Sequence, residues 1–580
     1  MNKVLPFAVV LCLTVRMSLA TPADDLHALF DSEWEHAMQA SPTWASRLGD
    51  RRFNDRWDDV SVEAIERESK HSQDVLKKLD AIPRDQLSPA DQLNYDLFRK
   101  NYELNVAEYP LGQWLLAINQ RDGIQLADEL ADSLPFQKLK DYEDWLARLK
   151  GFDKYMDQTI ELLREGGRRK IVHPRIVMQR VPKQIDKQLV EDAKENAFYK
   201  PFTHFNRDIA EADRRRLQGE AQTAMEKTVL PAYRRLKAFL EKEYLPACPE
   251  KVGCWQQPQG KEVYAAACRR HTTTDLSPDE IHEIGLREVE RIKAEMLKVK
   301  DEVGFKGSLP EFFNHLRSDP KFFCKTPEEL LNTYSAVSKR IDPLLVKLFR
   351  TLPRTPYGVE AIPGKIAPDT TTAYYRQPAA DGSRAGTYFV NLYRPETRPK
   401  WEMMALSLHE AVPGHHLQIA LAQEQSDLPM FRRQVEYTAY VEGWALYAES
   451  LGEEMGLYDD PYDRMGELTY DMWRAVRLVV DTGIHHKHWS RDEAIAFFRD
   501  HAPKTEIDII NEIDRYISWP GQALAYKIGQ LKIKELRARA EKQLGEKFEL
   551  KEFHDVVLLS GALPLDLLEQ RVDEWIANKT

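Results

Sequence analysis

Four residues in one short stretch could bind and use a metal ion: His409, Glu410, His415 and His416, in L-H-E-A-V-P-G-H-H from Leu408 to His416. Imidazole and carboxylate donors suit zinc, which takes nitrogen and oxygen ligands in a tetrahedral set. The usual arrangement puts two histidines four residues apart on a helix, with an intervening Glu as general base on the attacking water. Here the fourth position after His409 is Pro413, followed by Gly414. On an unbroken helix His415 would lie roughly 120° away from the face of His409, and His416 about 10.5 Å along the axis. Pro413 lacks the N–H that would bond the carbonyl of His409, and Gly414 tolerates unusual backbone geometry. The pair predicts a bulge that loops out two residues and makes His415 the second ligand, with His416 as the alternative.

A third ligand must come from elsewhere. The segment Y-T-A-Y-V-E-G-W-A-L-Y from Tyr437 to Tyr447 reads as an apolar helix carrying Glu442, with Glu436 and Glu449 as competitors. Glu442 is flanked by Val441, Trp444 and Ala445, where a carboxylate is costly without a partner. Glu449 opens a charged run with Glu453 and Glu454 and reads as solvated. Glutamate-type zinc hydrolases carry this ligand some distance beyond the second His, and Glu442 stands 27 residues after His415.

Several stretches resemble the bacterial domain of unknown function 885 family. These are H-E-A-V-P-G-H-H-L-Q, V-E-G-W-A-L-Y-A-E, V-D-T-G-I-H and W-P-G-Q-A-L-A-Y-K-I-G, with G-A-L-P-L-D near the end. The resemblance spans nearly all of the chain after residue 20. It implies a mainly α, two-lobed helical fold similar to neurolysin-like and carboxypeptidase Taq-like zinc peptidases, with a small β element beside the metal-site helix. It implies Zn2+ on His409, His415 and Glu442, and Glu410 as the general base. His485 fits the V-D-T-G-x-H pattern. Tyr516 and Tyr526 resemble the Pro-then-Tyr segment that helical zinc carboxypeptidases use to bring a phenol over the metal. Tyr526, with His485 or Tyr516, would then stabilise the oxyanion; the alternative for each Tyr is a buried aromatic bonded to backbone. By the same resemblance Gly386–Arg394 would bind substrate backbone through Tyr388 and Asn391 as an added strand, a structural hairpin being the alternative.

The elements that must position these residues are mostly helical. Ser88-Pro-Ala-Asp91, Ser277-Pro-Asp-Glu280 and Thr326-Pro-Glu-Glu329 each place a capping hydroxyl, a first-turn proline and an acid at the third position, and Ser490 to Glu493 is another capping box. Ile281, Ile284, Val289, Ile292 and Met296 form one apolar stripe. Pro353 to Gly386 is rich in Pro and Gly, and Thr387 to Tyr393 alternates in the manner of a strand. No linker or repeat divides the chain. The expected organisation is an export signal over 1–20, an N-terminal helical lobe over 21–250 and a catalytic helical lobe over 251–580.

A net charge of −11, from 82 basic and 93 acidic residues that are interspersed, leaves no basic surface for nucleic acid. Lys3, the apolar run Leu5 to Val15 and Ser18-Leu19-Ala20 read as a cleavable signal too short to span a bilayer. The mean hydropathy of −0.55 fits a mature protein free of the membrane, exported to a periplasm or beyond the cell. Cys12 leaves with that signal. In an oxidising compartment Cys248 is expected to pair with Cys254, leaving Cys268 with Cys324, one of three connectivities.

The function expected is zinc-dependent hydrolysis of short peptides, carboxypeptidase- or dipeptidase-like. Arg474 and Arg477, one turn apart, and Lys527 could pair with a free C-terminal carboxylate. The alternatives are an amidohydrolase acting on a non-peptide or cell-wall amide, and an inactive exported binding protein.

Overall fold

The computed structural model describes residues 21–364, 367–369, 371–379, 382 and 384–580. The export-signal reading of residues 1–20, and Cys12 with it, lies outside the described residues. The protein is mainly helical, with one three-stranded sheet.

The capping signals start helices where they stand in sequence. Ser88 accepts from the Asp91 amide at the start of α1 (Pro89–Glu108). A reciprocal capping box at Ser277 and Glu280 opens α4 (Pro278–Glu302), and Thr326 caps α5 (Pro327–Ile341). Between them, in chain order, come α2 (Leu139–Arg169) and α3 (Gly260–Thr272). The predicted stripe of α4 is its buried face: Ile281, Val289, Ile292 and Met296 are shielded from solvent. That face packs along α9 (Pro461–His485).

Every residue of α9 from Met465 to His485 is buried. A helix surrounded on all sides is usually apolar all round, yet this one carries Glu467, Asp471, Arg474, Arg477 and Asp481. Each of these groups needs a partner or must give up its charge, because an unpaired buried charge is strongly destabilising. The largest apolar cluster joins Trp145, Phe152 and Tyr233 of the first half to Met472, Val476 and Val480 of α9.

The sheet has the order β1 (Tyr357–Ala361), β3 (Gly386–Val390), β2 (Ala373–Arg376). β3 runs parallel to β1, with Tyr357 opposite Gly386, and antiparallel to β2, with Ala373 opposite Val390. The strand expected around Thr387 is therefore present but central. Both of its edges are taken, so it cannot receive substrate backbone as an added strand.

After the sheet come α6 (Met403–Glu410), α7 (His415–Glu424) and α8 (Thr438–Ser450), then α9, α10 (Arg491–His501), α11 (Glu506–Ser518) and α12 (Ala525–Leu544). α8 and α12 meet backbone to backbone. A Cβ on Gly529 would stand 1.8 Å from the carbonyl oxygen of Ala439, and one on Gly443 would stand 2.5 Å from Cα of Gly529. Only hydrogen fits between these helices.

The expected disulfides are absent: Cys248, Cys254, Cys268 and Cys324 are buried free thiols. Each of three bonds within its own segment, Cys248 to the Tyr244 carbonyl at 3.3 Å, Cys254 to the Gly260 carbonyl at 3.8 Å and Cys324 to the Thr333 hydroxyl at 3.8 Å. Burial pushes the Cys248 thiol up to about 12, far from reactive thiolate. An even count in the sequence said nothing about which sulfurs meet.

Candidate metal centre

The helix carrying His409 stops at Glu410, and a second helix starts at His415. Between them the chain turns through a cis Val412–Pro413 bond. The His416 amide bonds the Ala411 carbonyl at 3.0 Å, five residues back instead of four, so the expected bulge takes the form of a break between two helices. Gly414 is required there, since a Cβ at that position would lie 1.9 Å from the His409 carbonyl oxygen. The Trp444 indole N–H donates to the Pro413 carbonyl at 2.8 Å and ties the turn to α8.

This break turns the His415 ring onto that of His409, with centroids 4.7 Å apart and planes at 88°. Glu442 enters from the first turns of α8. Its Oε2 lies 3.6 Å from Nε2 of His409 and 3.4 Å from Nε2 of His415. One ligand atom from each of the three lies within 4.8 Å of the others, and no other such group of His, Cys, Asp or Glu occurs among the described residues. His416 points away from the cluster, with Nδ1 2.8 Å from the Tyr375 hydroxyl and Nε2 3.0 Å from the Thr355 carbonyl. Burial in that setting lowers its pKa to about 4.

Behind His409 stands Glu449, fully buried, whose Oε1 accepts from Nδ1 of His409 at 2.7 Å. That contact fixes the ring and turns Nε2 towards Glu442, the orientation in which histidine ligates metals once Nε2 gives up its proton. Burial works against a charge on His409, but Glu442 and Glu449 outweigh it and hold the group up at about 9. Burial likewise opposes ionisation of Glu442, and the adjacent His415 and His409 hold it well below the usual carboxylate range. The reading of Glu449 as solvated is overturned. The clue lay in the interval of seven residues from Glu442, which puts both carboxylates on one face two turns apart.

The cluster opens on a cavity of about 360 Å³. Glu410 lines it beside His409 and His415, and Glu436 reaches it from the rim. Thr371 to Tyr375 form another wall; this is the start of β2, whose outer edge is unpaired among the described residues. The Tyr526 ring lies almost parallel to that of His409, with centroids 6.5 Å apart. Burial and the nearby charge of Glu442 push its phenol up, so it remains a neutral donor at pH 7.

The same cavity is also lined by a wall of guanidinium groups. Arg474 and Arg477 come from α9, Arg515 from α11 and Arg121 from the first half of the chain. Oε2 of Glu512 accepts from Arg477 at 3.1 Å, Arg515 at 3.0 Å and the Tyr516 hydroxyl at 2.8 Å, while Oε1 lies 3.9 Å from Arg121. Burial opposes the Glu512 charge, but Arg515, Arg477 and Arg121 keep it ionised. Arg477 also packs over the Tyr526 ring at 4.2 Å. Arg474 has Glu449 at 3.6 Å. Nη1 of Arg477 and Nε of Arg474, both on buried residues, have no hydrogen-bond partner among the described residues.

Five expected site residues lie elsewhere. His485 receives the Cys254 amide on Nδ1 at 3.2 Å and faces the Tyr516 carbonyl with Nε2 at 3.0 Å, so it staples three segments and does not reach the cavity. The Tyr516 hydroxyl is consumed by Trp473, Arg477 and Glu512, which makes it a support for the arginine wall. Tyr388 is buried behind α6, its hydroxyl 3.5 Å from Ser407. Asn391 donates to the Ala367 and Thr371 carbonyls and shapes the loop before β2. Lys527 is fully buried against Asp471, Gln530 and Glu288. Conversely, Glu512, Arg515, Arg121 and the edge strand β2 escaped the sequence reading. Glu512, Arg515 and Tyr516 share a helix face at intervals of three and four, but nothing local marks Arg121.

The family model described as bacterial protein of unknown function (DUF885) matches residues 42–572. The chain belongs to that family. Among solved structures it is similar to one described as a "putative lipoprotein" from Colwellia psychrerythraea, with 29% identity, a TM-score of 0.91 and coverage of 97% of this chain and 100% of that one. A second, a "putative lipoprotein of unknown function" from Shewanella oneidensis, shares the fold at 18% identity and a TM-score of 0.72, covering 95% of this chain and 99% of that one. No curated protein matches significantly.

Proposed function

We propose that this protein is a zinc-dependent hydrolase of short peptides, with carboxypeptidase- or dipeptidase-like trimming. The observation that carries the reading is the convergence of His409, His415 and Glu442 on one point, backed by Glu449 and facing a cavity that Glu410 also lines. The donor set fits zinc: two imidazoles, which release their Nε2 protons on binding a metal, and a carboxylate are a known catalytic combination. Oε2 of Glu442, buried and without a hydrogen-bond partner among the described residues, fits a cation that would satisfy it. Zinc held there would supply a Lewis acid that polarises the scissile carbonyl.

The protein's own groups then divide the work. Glu410 removes a proton from the attacking water and returns one to the leaving amine. Tyr526 donates from its phenol to the developing oxyanion. The edge of β2 offers backbone donors and acceptors to an extended peptide. Arg474 and Arg477 direct their unpartnered N–H groups to the C-terminal carboxylate, which needs cationic partners once desolvated. A base retained in the cavity argues against an inert binding protein.

The two-lobed architecture of neurolysin-like and carboxypeptidase Taq-like peptidases, divided near residue 250, belongs to the same proposal. So does export to a periplasm or beyond the cell, supported by the lipoprotein description of both structural relatives. No helix among the described residues is long and apolar enough to cross a membrane.

The test is hydrolysis of a short-peptide panel with zinc and with chelator, using free, N-acetylated and C-amidated forms. Free and acetylated peptides should be cleaved and amidated ones cleaved far more slowly. Glu410→Gln should lower turnover by roughly 10²- to 10⁴-fold while zinc content stays at that of wild type. Normal turnover by that variant would remove Glu410 from the mechanism, and chelator-resistant cleavage would refute the zinc reading.

A further inference from the structure

The arginine wall holds more positive charge than one substrate carboxylate needs. Arg121, Arg477 and Arg515 converge on the single carboxylate of Glu512, which leaves two positive charges unmatched. Arg474 has one carboxylate contact, at 3.6 Å with Glu449, whose Oε1 is already engaged by His409, and it donates from Nη1 to the Tyr470 carbonyl at 3.4 Å. Guanidinium groups withdrawn from water in such numbers are stabilised when anions arrive, and carboxylates match their donor geometry.

The surplus is also drawn from different segments of the chain. Arg474 and Arg477 stand on α9 beside Tyr526, and their unpartnered N–H groups belong to residues that are 4% exposed. Arg121 comes from a separate segment, on a loop fixed to α11: Gln120 donates to the Asp514 carbonyl at 3.0 Å and accepts from the Ser518 hydroxyl at 2.9 Å. Asn119 accepts the Arg121 amide at 2.8 Å and holds the loop's own turn. Arg121 itself keeps one distant carboxylate, at 3.9 Å. Its guanidinium is thus anchored through the backbone and sparsely engaged at its tip.

We propose that the wall binds two carboxylates together, and that the preferred substrates are short peptides ending in aspartate or glutamate. Arg474 and Arg477 take the main-chain carboxylate, and Arg121 with Arg515 takes the side-chain one. The inference rests on the peptidase reading for its link to cleavage, but the two-anion site makes its own claim about binding.

Titration calorimetry on the Glu410→Gln protein separates the two, because it reads binding without turnover. The peptides are Ala-Ala-Glu and Ala-Ala-Gln, which differ by one charge at nearly constant shape. The Glu-ended peptide should bind at least about tenfold more tightly, the scale of one charge-assisted contact. Adding Arg121→Gln should bring the ratio of the two affinities towards one, whereas Arg121→Lys should keep part of the preference. In the enzyme with Glu410 intact, the ratio of kcat/KM for the two peptides should follow the same order. Equal affinity for the two peptides, or a preference that survives Arg121→Gln, would overturn the proposal. Hydrolysis of both peptides without preference would leave the peptidase reading standing. Preferential binding with no hydrolysis would sink the peptidase reading and leave the two-anion site.

Discussion

Glu449→Gln isolates what the second carboxylate does for the metal centre. The substitution keeps the size and the backbone of α8 and removes the charge that accepts from Nδ1 of His409 at 2.7 Å. A neutral amide can still accept from that N–H, but it can equally present its NH₂ group, so the ring loses its fixed orientation and some of its basicity. Losing such a partner typically lowers metal affinity by roughly 10- to 100-fold, or about 1.4 to 2.8 kcal/mol at 1.4 kcal/mol per tenfold. The metal-free fold should suffer less than the ~3–5 kcal/mol of a stranded buried charge, because His409 can become neutral and Arg474 keeps its cation–π contacts with Tyr470 and Trp473. The assay is competition for zinc against a chelating dye, with circular-dichroism melts of the metal-free protein as the control for folding. Zinc affinity equal to wild type in a folded Glu449→Gln protein would refute the argument that this contact supports the ligand.

His415→Ala should abolish stoichiometric zinc binding, while His416→Ala should retain it, since His416 is engaged by Tyr375 and Thr355; metal analysis of the two purified variants decides, and a reversed pattern would reassign the ligand. Asp481 gives a pH prediction away from the metal. Burial raises its carboxyl to about 7, against hydrogen bonds from Tyr264 and the Gly521 amide, whereas an unfolded Asp titrates near ~3.9. Between those values the folded state binds the proton more tightly, so this group's contribution to stability falls as pH rises from about 4 to about 7 and is level above. Asp481→Asn should therefore flatten the loss of stability over that window and be more favourable relative to wild type at pH 8 than at pH 5, measured by urea unfolding; a pH-independent difference would show that Asp481 does not titrate there.

Much of the candidate centre was legible because its determinants are local. Pro413 and Gly414 announce a break between His409 and His415, and the apolar setting of Glu442 marks a carboxylate in need of a partner. The caps at Ser88, Ser277, Thr326 and Ser490 are likewise short-range and start helices as read. What could not be read depends on which elements meet. Glu449 sits beside Glu453 and Glu454 in sequence, yet α8 turns it inward to His409. Arg121 reaches Glu512 across 391 positions. Thr387 to Val390 was recognisable as strand, but a strand's sequence does not say that neighbours will occupy both its edges. Tyr516 and His485 were misassigned because motif residues were expected to do chemistry, and in the fold both hold segments together instead.

The contact between Gly443 and Gly529 ties two parts of the centre into one moving part. Glu442 precedes the first glycine, and Tyr526 lies one turn before the second. With backbone against backbone, no side-chain rotamer lies between the helices to absorb a sliding displacement. Ligand and phenol must therefore travel together, like two teeth cut in one jaw. If the cleft widens to admit a peptide, the movement has to come from other elements that line it, such as β2 and the loop of Arg121.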